Sequence, residues 1–101
     1  MTSYRLTPEA RAGFHRILDY VEAQFGLRIA ERVLNRLVAA FERLASSPGL
    51  GRRREELTDD ASIRFWSDSP SVIAYRVVDD VVEILFVERG ERDWHGLLRE
   101  E

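Results

Sequence analysis

The chain has 101 residues, enough for one domain around one core. With 45% hydrophobic and 33% charged residues it has the composition of a folded globular protein, which excludes general disorder. The absence of cysteine excludes disulfides, a thiolate metal site and a cysteine nucleophile, and the net charge of −3 argues against a protein that coats DNA non-specifically.

No basic N-terminal region leads into an apolar run, and no apolar run approaches the length of a bilayer span. Neither a signal peptide nor a membrane anchor is therefore expected, and the expected compartment is the cytoplasm. All fifteen basic residues are arginine. Codon usage accounts for that bias, as does a need for fixed, planar cations that grip carboxylate or phosphate in two places. The two explanations are compatible.

In chain order, Tyr4 to Leu6 reads as a short strand. Thr7-Pro8-Glu9 is a helix start: a hydroxyl cap, a proline at the first helical position and an acid near the positive dipole end. Ala10, Phe14, Ile17, Leu18, Val21 and Phe25 then recur at helical spacing and predict a helix from Pro8 to about Phe25. Its other face carries Arg11, His15, Arg16, Asp19 and Glu22. Gly26 is the natural stop. A second helix from about Leu27 to Ala45 follows almost at once, so the pair is an antiparallel helical hairpin. Ala30, Val33, Leu34, Leu37, Val38, Phe41, Leu44 and Ala45 form its apolar face, with Arg28, Arg32, Arg36 and Arg43 nearly opposite. That arginine row is either a solvated face or a contact surface for an acidic partner.

Ser46-Ser47-Pro48-Gly49 ends the helix. Arg52-Arg53-Arg54-Glu55-Glu56 is the densest charge cluster, able to grip phosphate or acidic side chains or to pair within itself. Ile63 to Trp66 reads as a strand with Ile63 and Phe65 inward, and Ser67 to Ser71 as a loop. Val72 to Val78 and Val81 to Glu88 are the strongest strand signals, joined by an Asp79-Asp80 turn whose residues need positive φ. Arg76 is either the ion-pair partner of Glu83 across this hairpin or a functional cation on an open sheet face. Gly90 breaks the strand, and Arg92 to Glu100 reads as a short final helix. The expected fold is an α+β two-layer sandwich in the order β-α-α-β-β-β-α, an antiparallel sheet covered by the helical hairpin.

Candidate chemistry is sparse. The six glycines form no phosphate-binding loop, His15 and His95 lack metal-ligand spacing, and no serine sits in a nucleophile elbow, so neither cofactor nor metal is expected. The sharpest polar cluster is Glu88 to Trp94, a pair of arginines hinged at Gly90 beside an aromatic residue. It reads either as the start of the final helix or as an exposed binding edge.

Three stretches carry a family resemblance: YRLTPEA at the start, the helical hairpin with FERLASSPGLGRRREEL at its end, and the closing YRVVDDVVEILFVERGERDW. Together the chain resembles the RelE/ParE superfamily of bacterial type II toxins, single-domain proteins each encoded beside a neutralising antitoxin. The resemblance implies one toxin domain over residues 1–101. In the ribosome-dependent, mRNA-cleaving branch it implies basic residues on the central strands, an arginine after the closing glycine and a late tyrosine. Here Arg92 matches that arginine, whereas Val72 and Leu98 occupy the positions of the other arginine and the tyrosine. With those parts missing the chain is closer to the ParE branch, which implies a DNA gyrase inhibitor without a catalytic set. The alternatives are an mRNA endoribonuclease using Arg76 and Arg92, and a non-toxic module that keeps only antitoxin binding. Expected target-binding residues are Arg76, Arg89, Arg92 and Trp94. Expected antitoxin-binding residues are Arg28, Arg32, Arg36, Arg43, Arg52, Arg53 and Arg54, facing a tail that folds on binding.

Overall fold

The computed structural model describes residues 3–90 together with Leu97 and Leu98. Four strands and two long helices follow in the order β1 (Ser3–Leu6), α1 (Pro8–Phe25), α2 (Leu27–Ser46), β2 (Arg64–Asp68), β3 (Ser71–Val78) and β4 (Val81–Arg89), with a 3₁₀ turn at Pro48–Leu50 after α2. The start of α1 is bolted to the sheet by its own cap. The Thr7 hydroxyl accepts from the Ala10 amide at 3.1 Å and donates to the Leu85 carbonyl at 2.9 Å, while the Thr7 amide donates to Ile84 at 3.0 Å. One residue thus satisfies an orphan helix donor and sets where α1 crosses β4. Gly26 alone joins the helices, at φ 94°, a conformation that favours glycine.

The sheet order is β1-β4-β3-β2. The last three strands pair antiparallel, as their short connections require, and β1 adds a parallel edge to β4, so the sheet is mixed. That parallel pairing is beyond local sequence reading, because the whole helical hairpin lies between the two strands. Asp79 and Asp80 form the β3–β4 turn at φ 52° and 65°. The β2–β3 connection is tighter than the expected loop. Ser67 and Asp68 stay in strand by pairing with Val72 and Ser71, leaving only Ser69 and Pro70 between the strands. Cross-strand pairing here overrides the low strand preference of serine and aspartate.

Both faces of the sheet are covered. Ile73, Tyr75, Val82, Ile84 and Val87 meet Ala10, Ile17, Leu37, Phe41 and Leu44 of the helices. Tyr4 and Phe14 close on Phe41 at ring-centroid distances of 5.5 and 5.8 Å. On the far face Ile63, Phe65, Val72, Ala74, Leu85, Phe86 and Leu98 form a second cluster, flanked by Leu57 and Leu97. A bulge places Ala74 opposite Phe86 and Tyr75 opposite Ile84, which leaves Leu85 as the extra residue. It explains how neighbouring Leu85 and Phe86 are buried in the same cluster. Leu97 and Leu98 are helical, and the rest of the expected final helix lies outside the described residues.

Two anchors escaped the apolar pattern. Gly13 is buried on the side of α1 that faces β4, and a Cβ there would overlap the Val87 carbonyl oxygen and the Glu88 carboxylate. The helix can approach β4 so closely only without a side chain at that point. Tyr75, fully buried, donates to the Pro48 carbonyl at 2.6 Å and accepts from the Gly51 amide at 2.8 Å, tying the turn after α2 to the sheet. Burial pushes its phenol pKa up, against the lowering effects of the Gly51 amide and the Arg64 charge. Phe25 departs from expectation in the other direction. Although in phase with the apolar stripe, it is 64% exposed, beside Leu27 at the tip of the hairpin.

Candidate functional site: an arginine-flanked edge

Most of the expected site residues that the structure describes fall into three places, with Arg28 and Arg32 apart from them. The first is the turn end of the hairpin. Arg5, Glu83 and Arg76 are aligned across β1, β4 and β3. Glu83 Oε2 accepts from Arg5 Nε and Nη2 at 3.2 and 3.0 Å, and Glu83 Oε1 accepts from Arg76 Nε at 3.0 Å. Burial alone would push the Glu83 carboxyl up, but the two arginine hydrogen bonds and charges outweigh it and hold the pKa below the usual value. Arg76 is therefore the ion-pair partner across the hairpin, one of the two roles open to it in the sequence.

The second place is the exit of β4. Glu88, which reads in the sequence as part of an exposed charged edge, is only 3% exposed and accepts from Arg16 Nη2 at 2.6 Å. A carboxylate so deeply placed needs such a partner, and α1 supplies it from its polar face. Arg89 lies over the Tyr20 ring, 5.0 Å from its centroid. Beside it is a cavity of about 340 Å³ lined mainly by Ile17, Val21, Phe25, Ile29 and Val33, with Tyr20 and Arg89 at its polar edge. Arg92 and Trp94, the other expected members of this edge, lie outside the described residues.

The third place is the β2 edge, which gathers residues from three separate stretches. Two cavities of about 280 Å³ each meet at Trp66 and Ser67. One is flanked by Arg36 and Arg43 of α2, the other by Arg52 and Arg54 of the following loop. Arg36 donates to Asp68 at 3.0 Å, and Arg43 stands 5.8 Å over the Trp66 ring. Arg54 donates to Glu56 at 2.8 Å and stands 6.0 Å over Phe65, while Arg53 pairs with Glu55 at 3.5 Å. The bond from Arg54 lowers the Glu56 pKa. The cluster from Arg52 to Glu56 therefore pairs partly within itself, the more conservative of its two sequence readings. Arg28 and Arg32 do not join this site, being carried towards the hairpin tip. Arg28 and Arg43 are separated by about 22 Å of helix at the α-helical rise. Trp66, Ser67 and Asp68 were not candidates in the sequence. The available signal was a tryptophan in a short strand that ends a sheet.

Among the described residues no cluster of three or more potential metal ligands occurs, and no helix is long and apolar enough to cross a membrane.

This fold, a helical hairpin on a four-stranded sheet, is shared with chains of solved toxin–antitoxin systems. A chain of a chromosomal ParDE toxin–antitoxin system from P. aeruginosa superposes with a TM-score of 0.73 at 22% identity, over 90% of this chain and 98% of that one. A chain of the RelBE2 toxin–antitoxin complex from Mycobacterium tuberculosis superposes at 0.58 with 25% identity, over 86% and 95%. In sequence, residues 4–94 match the family model of the ParE toxin of the type II toxin–antitoxin system parDE. Toxin ParE1 of Caulobacter vibrioides is 34% identical over 77 residues, 76% of this chain and 78% of the relative. Toxin ParE3 of the same organism is 35% identical over 65 residues, 64% and 63% of the two chains. The chain belongs to the ParE toxin family, as the resemblance of its opening and closing stretches implied.

Proposed function

We propose that this protein is a toxin that inhibits DNA gyrase by binding, and that a cognate antitoxin holds it inactive. Family membership supports the toxin role, and the two solved relatives come from toxin–antitoxin systems. The observation that favours binding over catalysis is the state of Arg76. The central-strand cation that an RNA-cleaving site would use is held by Glu83, which Arg5 grips from the other side. A cation locked in a structural ion pair is poorly placed to stabilise a developing phosphorane charge. Val72 and Leu98 point the same way. At the positions where the nuclease branch carries an arginine and a tyrosine, both are buried in the far-face cluster.

A supercoiling assay tests the proposal. Purified protein is expected to block gyrase-driven supercoiling or to trap cleaved DNA, while transcripts mapped after induction stay intact. No effect on gyrase at concentrations that arrest growth overturns it, and cuts in translated mRNA replace it with the endoribonuclease reading. Co-purification with the protein encoded in the adjacent reading frame tests the antitoxin part.

A further inference from the structure

Of the five large apolar side chains left exposed among the described residues, Tyr20, Phe25 and Leu27 lie at the tip of the helical hairpin. They adjoin the cavity of about 340 Å³ whose walls include Ile17 and Val21 of α1 and Ile29 and Val33 of α2. An apolar knob and an apolar hollow thus sit side by side on one surface. A single exposed apolar side chain needs no explanation, but a cluster beside a hollow marks a contact surface.

The charges around the tip say what it contacts. Asp19 and Glu22 are exposed on α1 at this end, and Arg28 and Arg32 are exposed on α2. Both placements run against the helix dipoles, since the last turn of α1 holds no basic residue and the first turn of α2 no acidic one. Asp19 and Glu22 also repel each other, as do Arg28 and Arg32, being three and four positions apart on a helix. None of the four has an ion-pair partner among the described residues, in contrast to Arg5, Arg16, Arg36 and Arg76. Glu31 lowers the positive excess on α2 without reversing it. The tip is therefore divided, acidic along one helix and basic along the other. A partner of a single charge sign meets one attractive and one repulsive half. A second copy turned about a two-fold axis meets two attractive halves, because acid faces arginine on both sides.

We propose that two copies of this chain associate tip to tip about such an axis. The apolar tip of each covers the cavity of the other, and Asp19 and Glu22 of each copy meet Arg28 and Arg32 of the second. The tip offers fewer side chains than the roughly 20–30 per partner of a standard interface, so the dimer is reversible and forms in the micromolar range. The inference does not depend on the gyrase reading.

Sedimentation equilibrium of the purified full chain is expected to show a monomer–dimer equilibrium that weakens with added salt. Glu22→Arg, which sets like charges against Arg28 in both halves, is expected to raise the dissociation constant at least about tenfold, and Arg28→Glu to do the same. Glu22→Arg together with Arg28→Glu restores opposite signs and is expected to bring the constant back to within about threefold of wild type. That rescue separates a contact between copies from a general effect on the fold. Phe25→Ser, at a side chain 64% exposed, should abolish the dimer in a protein that melts like wild type. A chain that stays monomeric across the micromolar range sinks the proposal. So does a dimer indifferent to Phe25 and to the charge exchange, which would place the contact elsewhere. A tip protected from hydrogen exchange only in complex with the protein of the adjacent reading frame assigns this surface to that partner and overturns the second copy.

Discussion

The two arginine-rich ends of the sheet use the same side chain in opposite ways. At the hairpin-turn end, Arg5 and Arg76 converge on one carboxylate that is only 15% exposed, and the three side chains form a closed ladder across three strands. At the β2 edge, arginines from a helix and a loop flank an indole on the outer strand of the sheet. Carboxylates satisfy the first set from within the fold. The second set keeps a surplus of positive charge. What separates a structural arginine from one able to bind a partner is therefore the register of its nearest acid, not its exposure or its position in a basic run. Arg76 shows this well, because one step of register would remove its partner from the facing position.

Substitutions can break or sharpen that contrast. The largest expected effect lies in the packed interior that both ends depend on. Gly13→Ala forces α1 away from Val87 and Glu88 and should cost ~1–3 kcal/mol in urea denaturation. A variant as stable as wild type would mean that the helix seat on β4 can shift at little cost. Tyr75→Phe comes next, at about 1–2 kcal/mol, because it leaves the Gly51 amide and the Pro48 carbonyl without their partner. Because burial raises the Tyr75 pKa, its contribution is fully present below the ordinary phenol value and is lost as pH rises through the folded one. An alkaline titration of the wild type should show that loss, and Tyr75→Phe should remove it.

Glu83→Gln strikes the closed ladder directly. It should cost ~1 kcal/mol, discounted because Arg5 is half exposed. The sign of its pH dependence follows from the lowered pKa of Glu83. The ladder's stabilisation is present above the carboxyl's unfolded pKa and is lost as pH falls through its lower folded value. Wild type should therefore lose part of its advantage over Glu83→Gln in acid, and a difference that stays constant with pH would show that the charges contribute nothing. The smallest stability effect belongs to the open edge: Arg43→Ala or Arg52→Ala should change stability by less than ~0.5 kcal/mol. A large loss there would erase the distinction between the two ends.

Much of this was legible in the sequence wherever the cause was local. The Thr7 cap, the Gly26 stop, the Asp79-Asp80 turn and the apolar runs of β3 and β4 each depend on residues a few positions apart. The Arg76–Glu83 pair was legible as one of two options, since a two-residue turn sets the hairpin register. Gly13 was missed because a glycine inside a helical stripe looks like a gap until the facing strand is known. Glu88 was misplaced because its burial depends on Arg16, 72 residues away in sequence. The β2-edge groove was missed for a similar reason. The arginine row of α2 and the triplet after it were both visible, but nothing local showed that Arg36, Arg43, Arg52 and Arg54 share Trp66 while Arg28 and Arg32 do not.

By itself, then, the sequence determined the two long helices and their ends, the β3–β4 hairpin with its turn, and the family, because short-range sterics, capping and periodicity act within a few residues. Only the tertiary structure decided which arginines close into a ladder across three strands and which gather around Trp66 at the β2 edge. That depends on how a parallel β1, a bulged β4 and a closely seated α1 bring distant charges within about one hydrogen bond of each other, where the free energy of an ion pair is set.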